Sequence, residues 1–449
     1  MKHINKLIKK SPKIGLISLG CPKALVDSEK ILTSLTHNGY LINKDHRNAD
    51  LVIVNTCGFI DSAKEESINT ISSSLNENGK VIITGCLGRD KTTIKKFEDK
   101  VLSISGPSEI NKVLRTVQKV FPQQKKPIRN FLSPTGIKLT PKHYSYLKIS
   151  EGCNHTCKFC IIPNLRGKLK SNNVDKIMNE AKLLVENGTK ELLIISQDTS
   201  AFGIDLKLTK NKDKTNIVEL CKLLGELDVW IRLHYVYPYP HVSNIIPLMA
   251  ENKLLPYLDI PFQHSHPEVL KRMQRPARKD NSSKLIEEWR RIKPDITLRS
   301  TFIVGYPGET EDEFQHLLDW LEEVQLDRVG CFKYENVKGA RSNDLPGHLP
   351  EEIKEERWKR FMIKAQEISE KKLLKKVGTV QEVIIDEVDQ DGAICRTKGD
   401  APQIDGNIFI DKNFKDLKQG QLINVIVEES NEYDLWGCLL YTSPSPRDS

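Results

Sequence analysis

The stretch Ile149–Gly167, ISEGCNHTCKFCIIPNLRG, places Cys153, Cys157 and Cys160 within eight residues at the spacing C-x3-C-x2-C. A tight loop of that spacing aims three thiolates at one centre, and soft thiolates select zinc, copper(I) or iron–sulfur clusters. Zinc closes its shell with four protein ligands, and no fourth Cys or His follows Cys160 at ordinary zinc spacing. His155 stands inside the loop without a finger-like second pair. Three sulfurs on a four-iron cluster leave one iron open to a small molecule. A structural metal knuckle is the plainer alternative.

Downstream of this loop, short apolar runs alternate with amphipathic stretches. The runs Tyr146–Ile149, Leu192–Ser196, Trp230–Tyr235, Tyr257–Ile260, Leu298–Val304 and Arg328–Phe332 predict six strands, with helices such as Val174–Val185, Ile217–Leu227 and Glu311–Glu323 between them. Six βα units predict a parallel barrel shorter than the eight-stranded type, with its chemistry at the carboxyl ends of the strands. The cysteine loop follows the first strand, where that rule places it. Ser196, Gln197 and Asp198 follow the second strand and suit an amino-acid ammonium, although Asp198 also reads as a helix N-cap. Arg232 and Arg299 alternate into strands, where a charge requires a partner. A ligand carboxylate would serve, and so would an internal ion pair. His234, Tyr235, Tyr237 and Tyr239 make an aromatic strand end, most of it expected in the core. Cys221 and Cys331 read as core, and Glu351–Lys375 as a long charged helix on the barrel exterior.

Upstream, three apolar runs each end at a cysteine. Ile14–Leu19 leads to Cys21, Leu51–Val54 to Cys57 and Val81–Ile83 to Cys86, with helical stretches Ala24–His37 and Asp61–Leu75 between them. In an open parallel sheet every strand delivers its carboxyl end to one edge, so these cysteines should converge. Gly20, Gly58 and Gly85 allow backbone to come close to a bulky group. A single free cysteine is usually a small core residue. Three at equivalent strand ends predict a second three-cysteine cluster.

Length and composition agree with several domains. At 449 residues the chain exceeds one ordinary domain, and its 38% hydrophobic content is enough for packed cores. No apolar run approaches a membrane span, and the opening MKHINKLIKK with IGLISLG lacks a small-residue cleavage site, so a cytoplasmic protein with no membrane partner is expected. Ten cysteines, clustered, suggest metal chemistry in a reducing compartment. The net charge of +8 hides an asymmetry: residues 377–437 hold thirteen acidic against five basic residues. The remainder is strongly basic and open to RNA phosphate, or simply rich in lysine throughout.

The segment after residue 376 carries β-type runs at Thr379–Asp386, Gly392–Arg396, Asn407–Ile410 and Leu422–Val427, which predict a small β-barrel. The divisions expected are an N-terminal domain at 12–120, a Pro- and Lys-rich linker at 121–143, the central barrel at 144–376 and the small barrel at 377–437. Residues 438–449, CLLYTSPSPRDS, resemble translated adapter DNA and are expected to be non-native, so Cys438 is left out of the ligand count.

The pattern C-x3-C-x-aromatic-C, with Phe159 as its aromatic, resembles the signature of radical S-adenosylmethionine (SAM) enzymes. VGYPGE, containing Gly305 and Glu309, resembles their adenine-binding segment at the fifth strand. More widely, SLGCPKALVDSE, IVNTCGFIDSA, TGCLG, LKISEGCNHTCKFCIIP, ISQDTSA, LHYVYPYPH, LRSTFIVGYPGET and YDLWG resemble the ribosomal-protein aspartate methylthiotransferases, the RimO type of radical SAM enzyme. Ala24 and Thr156 depart from the family pattern without touching a ligand position. The resemblance implies an open parallel α/β domain, a partial (β/α)6 TIM-like radical SAM barrel and a TRAM-like β-barrel.

It further implies two 4Fe–4S clusters. Cys153, Cys157 and Cys160 would hold the one that binds and cleaves SAM, making them the catalytic cysteines. Cys21, Cys57 and Cys86 would hold an auxiliary cluster that carries the sulfur, with a second SAM as methyl donor. Phe159, Ser196, Gln197, Arg232, Arg299 and Gly305 would line the SAM site. The substrate would be an aspartate of small-subunit ribosomal protein twelve, and the reductant a flavodoxin or ferredoxin, with RNA contact secondary. The acidic end barrel should favour a basic protein over transfer RNA, the substrate of the sister branch. A two-cluster carrier without SAM chemistry is the reading from another class. The β-hydrogen of an ionised aspartate is too weakly acidic for a side-chain base, which is why a radical cofactor is needed.

Overall fold

The computed structural model describes residues 12–122, 135–206, 215–275 and 282–440. Its first sheet is parallel, in the order β2-β1-β3-β4-β5, from strands β1 (Lys13–Ser18), β2 (Leu41–Asn43), β3 (Leu51–Thr56), β4 (Val81–Gly85) and β5 (Ser103–Ile104). Every residue of β3 and β4 is buried, because helices cover both faces and neither face can be polar. Alternation decides which face each residue serves. Leu51 and Ile53 pack with Ile31, Leu35, Val113 and Val117 from helices Pro22–His37 and Ile110–Val120. Val52 and Val54 pack with Ile71 of helix Asp61–Asn78 on the other side. The edge strands β2 and β5, of three and two residues, carry too little pattern to be legible in the sequence.

The second sheet follows the chain. Strands β6 (Tyr144–Lys148), β9 (Glu191–Ile195), β10 (Trp230–Leu233), β11 (Tyr257–Asp259), β12 (Thr297–Val304) and β13 (Arg328–Lys333) lie side by side in sequence order, all parallel, with β6 and β13 at the open edges. These are the six strands expected, forming a partial barrel. Between β6 and β9 sit β7 (Ser150–Glu151) and β8 (Lys170–Ser171), an antiparallel pair that brackets the cysteine loop. The helix Glu351–Leu374 serves two units: Phe361, Ala365 and Ile368 join the central core, and Leu373 enters the core of the last barrel.

That barrel is closed, in the order β14-β15-β16-β18-β17, from β14 (Val380–Val388), β15 (Ala393–Thr397), β16 (Ile408–Ile410), β17 (Leu422–Ser430) and β18 (Leu435–Leu439). The fifth strand runs through Cys438 and Leu439, past the expected end at Gly437. Cys438 pairs with Ile426 and Leu439 with Val425, so these two residues belong to the sheet. Residues 441–449 of the expected tail, and 123–134 of the expected linker, lie outside the described residues. The rest of the linker packs on helix Pro22–His37: Lys138 pairs with Glu29 at 3.0 Å, and the N–H groups of Ile137 and Leu139 donate to Thr33 and Glu29. Among the described residues no helix is long and apolar enough to cross a membrane.

The last barrel is locked to the floor of the central sheet by buried ion pairs. Glu191, at the start of β9, accepts from Arg232 Nε (2.6 Å) and from Arg396 Nη2 (2.7 Å), and Arg232 Nη1 also donates to the Lys398 carbonyl. Arg299 bridges Asp259 and Asp405, Arg328 meets Asp400, and His143 meets Asp386. Asp386, Asp400 and Asp405 are therefore turned inward, and the acidity of this segment is only partly presented to partners. Burial opposes the charge of Glu191, but Arg396 and Arg232 overcome it and bring its pKa down to about 2 from the ordinary 4.5. A depressed carboxylate of this kind contributes stability that is full above pH ~4.5 and is lost as pH falls toward ~2. Glu191→Gln leaves two buried guanidiniums short of a carboxylate, which costs roughly 3–5 kcal/mol. Thermal unfolding should show the variant destabilised at pH 7, with the gap to the parent closing as acid protonates Glu191. An unchanged melting temperature at pH 7 would contradict it.

Candidate active site

Parallel pairing decides where the early cysteines go. Ser18 stands opposite Asn55 and Thr56 opposite Gly85, so β1, β3 and β4 end at one edge, and Cys21, Cys57 and Cys86 follow within three residues. Cys21 caps helix Pro22–His37, its carbonyl accepting from the N–H groups of Ala24 and Leu25. Cys57 donates its N–H to Ser67 Oγ (3.0 Å), and Cys86 opens a single 3-10 turn, Cys86–Arg89. Cys86 is within electrostatic reach of both other thiols. Gly20 is tied to this edge by a positive φ of 88° and by lack of room: a Cβ there would sit 3.0 Å from Cys57 Cβ and 3.2 Å from its Sγ. Gly20→Ala is therefore expected to push Cys57 aside and lower the iron bound after reconstitution while leaving the Cys153 loop intact. Iron analysis reads this directly, and full iron content would refute it.

The second trio is held by its own loop and by the strands beneath. Cys153 donates its N–H to the Gly167 carbonyl (3.0 Å) and its sulfur accepts from the His155 N–H (3.4 Å). Lys158 N–H donates to Met273 O and Ser342 N–H to Lys158 O, each at 3.0 Å. Cys160 feels both Cys157 and Cys153. Arg275 Nη1 lies 3.9 Å from Cys157 Sγ, and its guanidinium stacks 4.2 Å from the centroid of Tyr237. The other face of Tyr237 carries His155, with centroids 3.6 Å apart and rings 14° from parallel. His155 Nε2 in turn meets Asp198 (2.8 Å) and Tyr239 (3.0 Å). The loop is thus anchored to the ends of β9 and β10 by an aromatic stack and a buried carboxylate.

Burial pushes the thiols of Cys86 and Cys153 up to about 11 and that of Cys160 to about 12. Burial also opposes ionisation of Cys21, but Lys23 and Arg166 outweigh it and hold that thiol below its ordinary value. Among the described residues no three His, Cys, Asp or Glu side chains close on a single metal ion. The two trios are open sets of soft sulfur donors, which suits a multi-iron cluster whose irons each take one thiolate.

A buried charge cluster joins the two trios. Asp27 of the first unit meets Lys148 and Arg166 of the second, and Glu151 accepts from Lys148 (2.7 Å), Arg166 (2.9 Å), Gln197 (2.7 Å) and Ser108 (2.9 Å). Burial works against Glu151, but Lys148 and Arg166 hold it down to about 2. The sequence reading passed over Asp27, Lys148, Glu151, Arg166 and Arg275. The available signal was charge in apolar context, as with Arg166 closing the short helix Ile162–Arg166.

The other expected site residues divide. Gln197 and Asp198 reach the cysteine loop region, and Ser196 is buried beside Thr199 (3.4 Å). Asp198 also caps the turn Thr199–Ala201, accepting from the Ala201 N–H. Phe159 packs with Met273, Tyr306 and Tyr334. Arg232 and Arg299 are not brought to the loop, because both are taken up by the ion pairs beneath the sheet. Gly305, with φ 72°, gives its N–H to Glu309, whose carboxylate is held by Arg357. A Cβ at Gly305 would lie 2.5 Å from Lys354 Cγ, so the close approach it permits is to helix Glu351–Leu374.

A partial parallel barrel with three cysteines in its first loop, fronted by an open sheet with three more and followed by a closed five-stranded barrel, defines a radical SAM enzyme of the three-unit methylthiotransferase class. Residues 147–321 match the radical SAM superfamily, residues 13–106 the Uncharacterized protein family UPF0004, and residues 377–440 the TRAM domain. Among solved structures, the radical SAM methyltransferase TsrM from Kitasatospora setae superposes with a TM-score of 0.51 at 13% identity, over 72% of this chain and 73% of that one, a likeness of fold. The ribosomal protein uS12 methylthiotransferase RimO of Ruegeria pomeroyi is 60% identical over 435 residues, covering 95% of this chain and 93% of its own. Those of Roseobacter denitrificans and Paracoccus denitrificans are each 60% identical over 95% of this chain and 94% of their own. The chain belongs to the RimO family of ribosomal protein methylthiotransferases.

Proposed function

We propose that this chain adds a methylthio group to the β-carbon of an aspartate in ribosomal protein uS12, using two 4Fe–4S clusters. The observation that carries the reading is the single sheet edge that gathers Cys21, Cys57 and Cys86, joined to the loop of Cys153, Cys157 and Cys160 through helix Ile162–Arg166. A cluster on three thiolates supplies the one-electron cleavage of SAM, a chemistry no side chain provides. Cys153, Cys157 and Cys160 would hold that group, with Phe159 and Tyr237 closing the loop against water. Gln197 Oε1 is buried without a partner and offers an acceptor to the SAM ammonium, with Ser196 alongside. Arg232 and Arg299 are assigned instead to the joint with the end barrel. Gly305 would contribute backbone shape near the adenine rather than its N–H.

Cys21, Cys57 and Cys86 would hold the second cluster and present sulfur at the junction. The working units would be residues 12–120, 144–376 and the TRAM barrel from 377. With a ribosomal substrate the enzyme would work in the cytoplasm, where a flavodoxin or ferredoxin would supply electrons. Mass spectrometry of ribosomal proteins from cells with and without this chain tests the proposal. One uS12 aspartate should gain a methylthio group only when the chain is present. Thiomethylated transfer RNA with unmodified uS12 would overturn it.

A further inference from the structure

Lys23 carries a charge that the chain itself does not balance. It stands in the first turn of helix Pro22–His37, two residues after Cys21, and that turn holds no acidic residue. A cation there opposes the helix dipole, so the position lowers stability unless an anion is supplied. Among the described residues no carboxylate meets its ammonium. The half-buried side chain instead crosses to the central unit and lays Nζ 3.2 Å from the ring centroid of Tyr235, just past the end of β10. An ammonium over one ring keeps donors to spare.

Tyr235 is held in place to receive it. Its φ of 59° is a left-handed conformation that a tyrosine adopts at a cost. The turn is fixed by its N–H, which donates to Asp259 (3.2 Å), and by its carbonyl, which accepts from the Thr199 N–H (3.0 Å). Leu25 and Val26 follow Lys23 into one apolar cluster with Tyr146 and Ile195, on the inner face of the partial barrel. The barrel is open at its other edge. On β13, Val329 and Cys331 pack on the core beneath the helices, and alternation turns Gly330 and Phe332 to the inner face. A Cβ at Gly330 would meet nothing within 4 Å, and Phe332 is 60% exposed.

We propose that Lys23 binds the carboxylate of the substrate aspartate, its Nζ–H donating to the carboxylate while the Tyr235 ring supports the ammonium from the other side. The inference rests on the reading that the chain modifies an aspartate of uS12, and it names the residue that selects that side chain. Charge argues for a carboxylate: Arg166 and Lys148 are matched by Asp27 and Glu151, which leaves Lys23 a cation at this junction without an acidic partner. Place argues for the substrate: Lys23 follows the first cysteine of one trio and reaches a strand end of the barrel that carries the other. A carboxylate held there sets its β-carbon between the two. Lys23 neither gives nor takes a proton in this role; it fixes position and favours aspartate over uncharged asparagine.

The test uses the full chain, anaerobically reconstituted and supplied with SAM and dithionite. Two substrates compete in one reaction: uS12, and uS12 with asparagine at the target aspartate. Mass spectrometry reads the ratio of methylthiolated products, which is the ratio of their kcat/KM values. The parent should favour aspartate about tenfold or more, the worth of one charge-assisted hydrogen bond. Lys23→Gln and Lys23→Met should bring the two substrates within about twofold of each other, chiefly by raising KM for uS12. Lys23→Arg, which keeps the charge, should restore much of the preference. Iron content should stay at the parent value. A preference for aspartate that survives in both neutral variants overturns the proposal, and so does loss of iron from both, which would make Lys23 a support of the cysteine edge. A weaker dependence on SAM with an unchanged product ratio overturns it too, by assigning the lysine to the cofactor. A parent chain that modifies no uS12 would instead remove the reading on which the proposal rests.

Discussion

Cys157→Ala is expected to release no deoxyadenosine from SAM above the background of a cluster-free chain, and to transfer no methylthio group. Cys157 is 7% exposed, between the Arg275 guanidinium and the other two thiols of its loop. An alanine there leaves the sulfur set with two donors, and His155 and Asp198, the nearby candidates among the described residues, are committed to each other. On the two-cluster proposal, iron bound after reconstitution should fall from about eight to about four per chain, the content of one four-iron cluster. Deoxyadenosine measured by chromatography after dithionite reduction reads the loss. Release at a tenth or more of the parent rate would show that some other group anchors the centre.

Cys57→Ala should divide the two activities. Cys57 lies at the end of β3 in the first sheet, across the Asp27–Arg166 and Glu151–Ser108 contacts from the loop of Cys153. Its loss removes one of three donors at that edge and leaves the loop of Cys153 with every hydrogen bond described above. Deoxyadenosine release should therefore remain within about twofold of the parent, while methylthio transfer to uS12 falls to background because the sulfur has no anchor. Iron should again drop to about four per chain. Equal loss of both activities would mean that the two trios act as one centre.

Much of the fold was legible because periodicity reported it. Runs such as LVIV and VII are apolar without alternation, which marks strands covered on both faces, and each was followed at once by a cysteine. The six central strands were readable as short apolar runs between amphipathic stretches, even though β12 alternates and β13 is only half-buried. β2 and β5 were not, because two or three residues of edge strand bury too little to leave a pattern. β18 was missed because its second half is composed like a tail, and only pairing with β17 shows that Cys438 and Leu439 belong to the sheet.

The site was legible where spacing is local and illegible where partners are distant. Three cysteines in eight residues announce themselves. Arg232 and Arg299 needed a counter-charge that a ligand carboxylate or an internal ion pair could supply, and Glu191, Asp259 and Asp405 supply it from positions no window in the sequence would connect. Arg166 was hidden in the same way: its importance comes from Asp27 and Glu151, and the first of these is 139 residues away.

The floor of ion pairs beneath the central sheet bears on how the molecule can be dissected. A chain cut after helix Glu351–Leu374 would look like a clean excision, since the remaining units keep their own sheets. Arg328 would nevertheless lose Asp400, Arg299 would keep only Asp259, and Glu191 would lose Arg396. The three units are modular in pattern but not in electrostatics, and a minimal catalytic fragment made by truncation would need its exposed cations redesigned before its behaviour said anything about the intact enzyme.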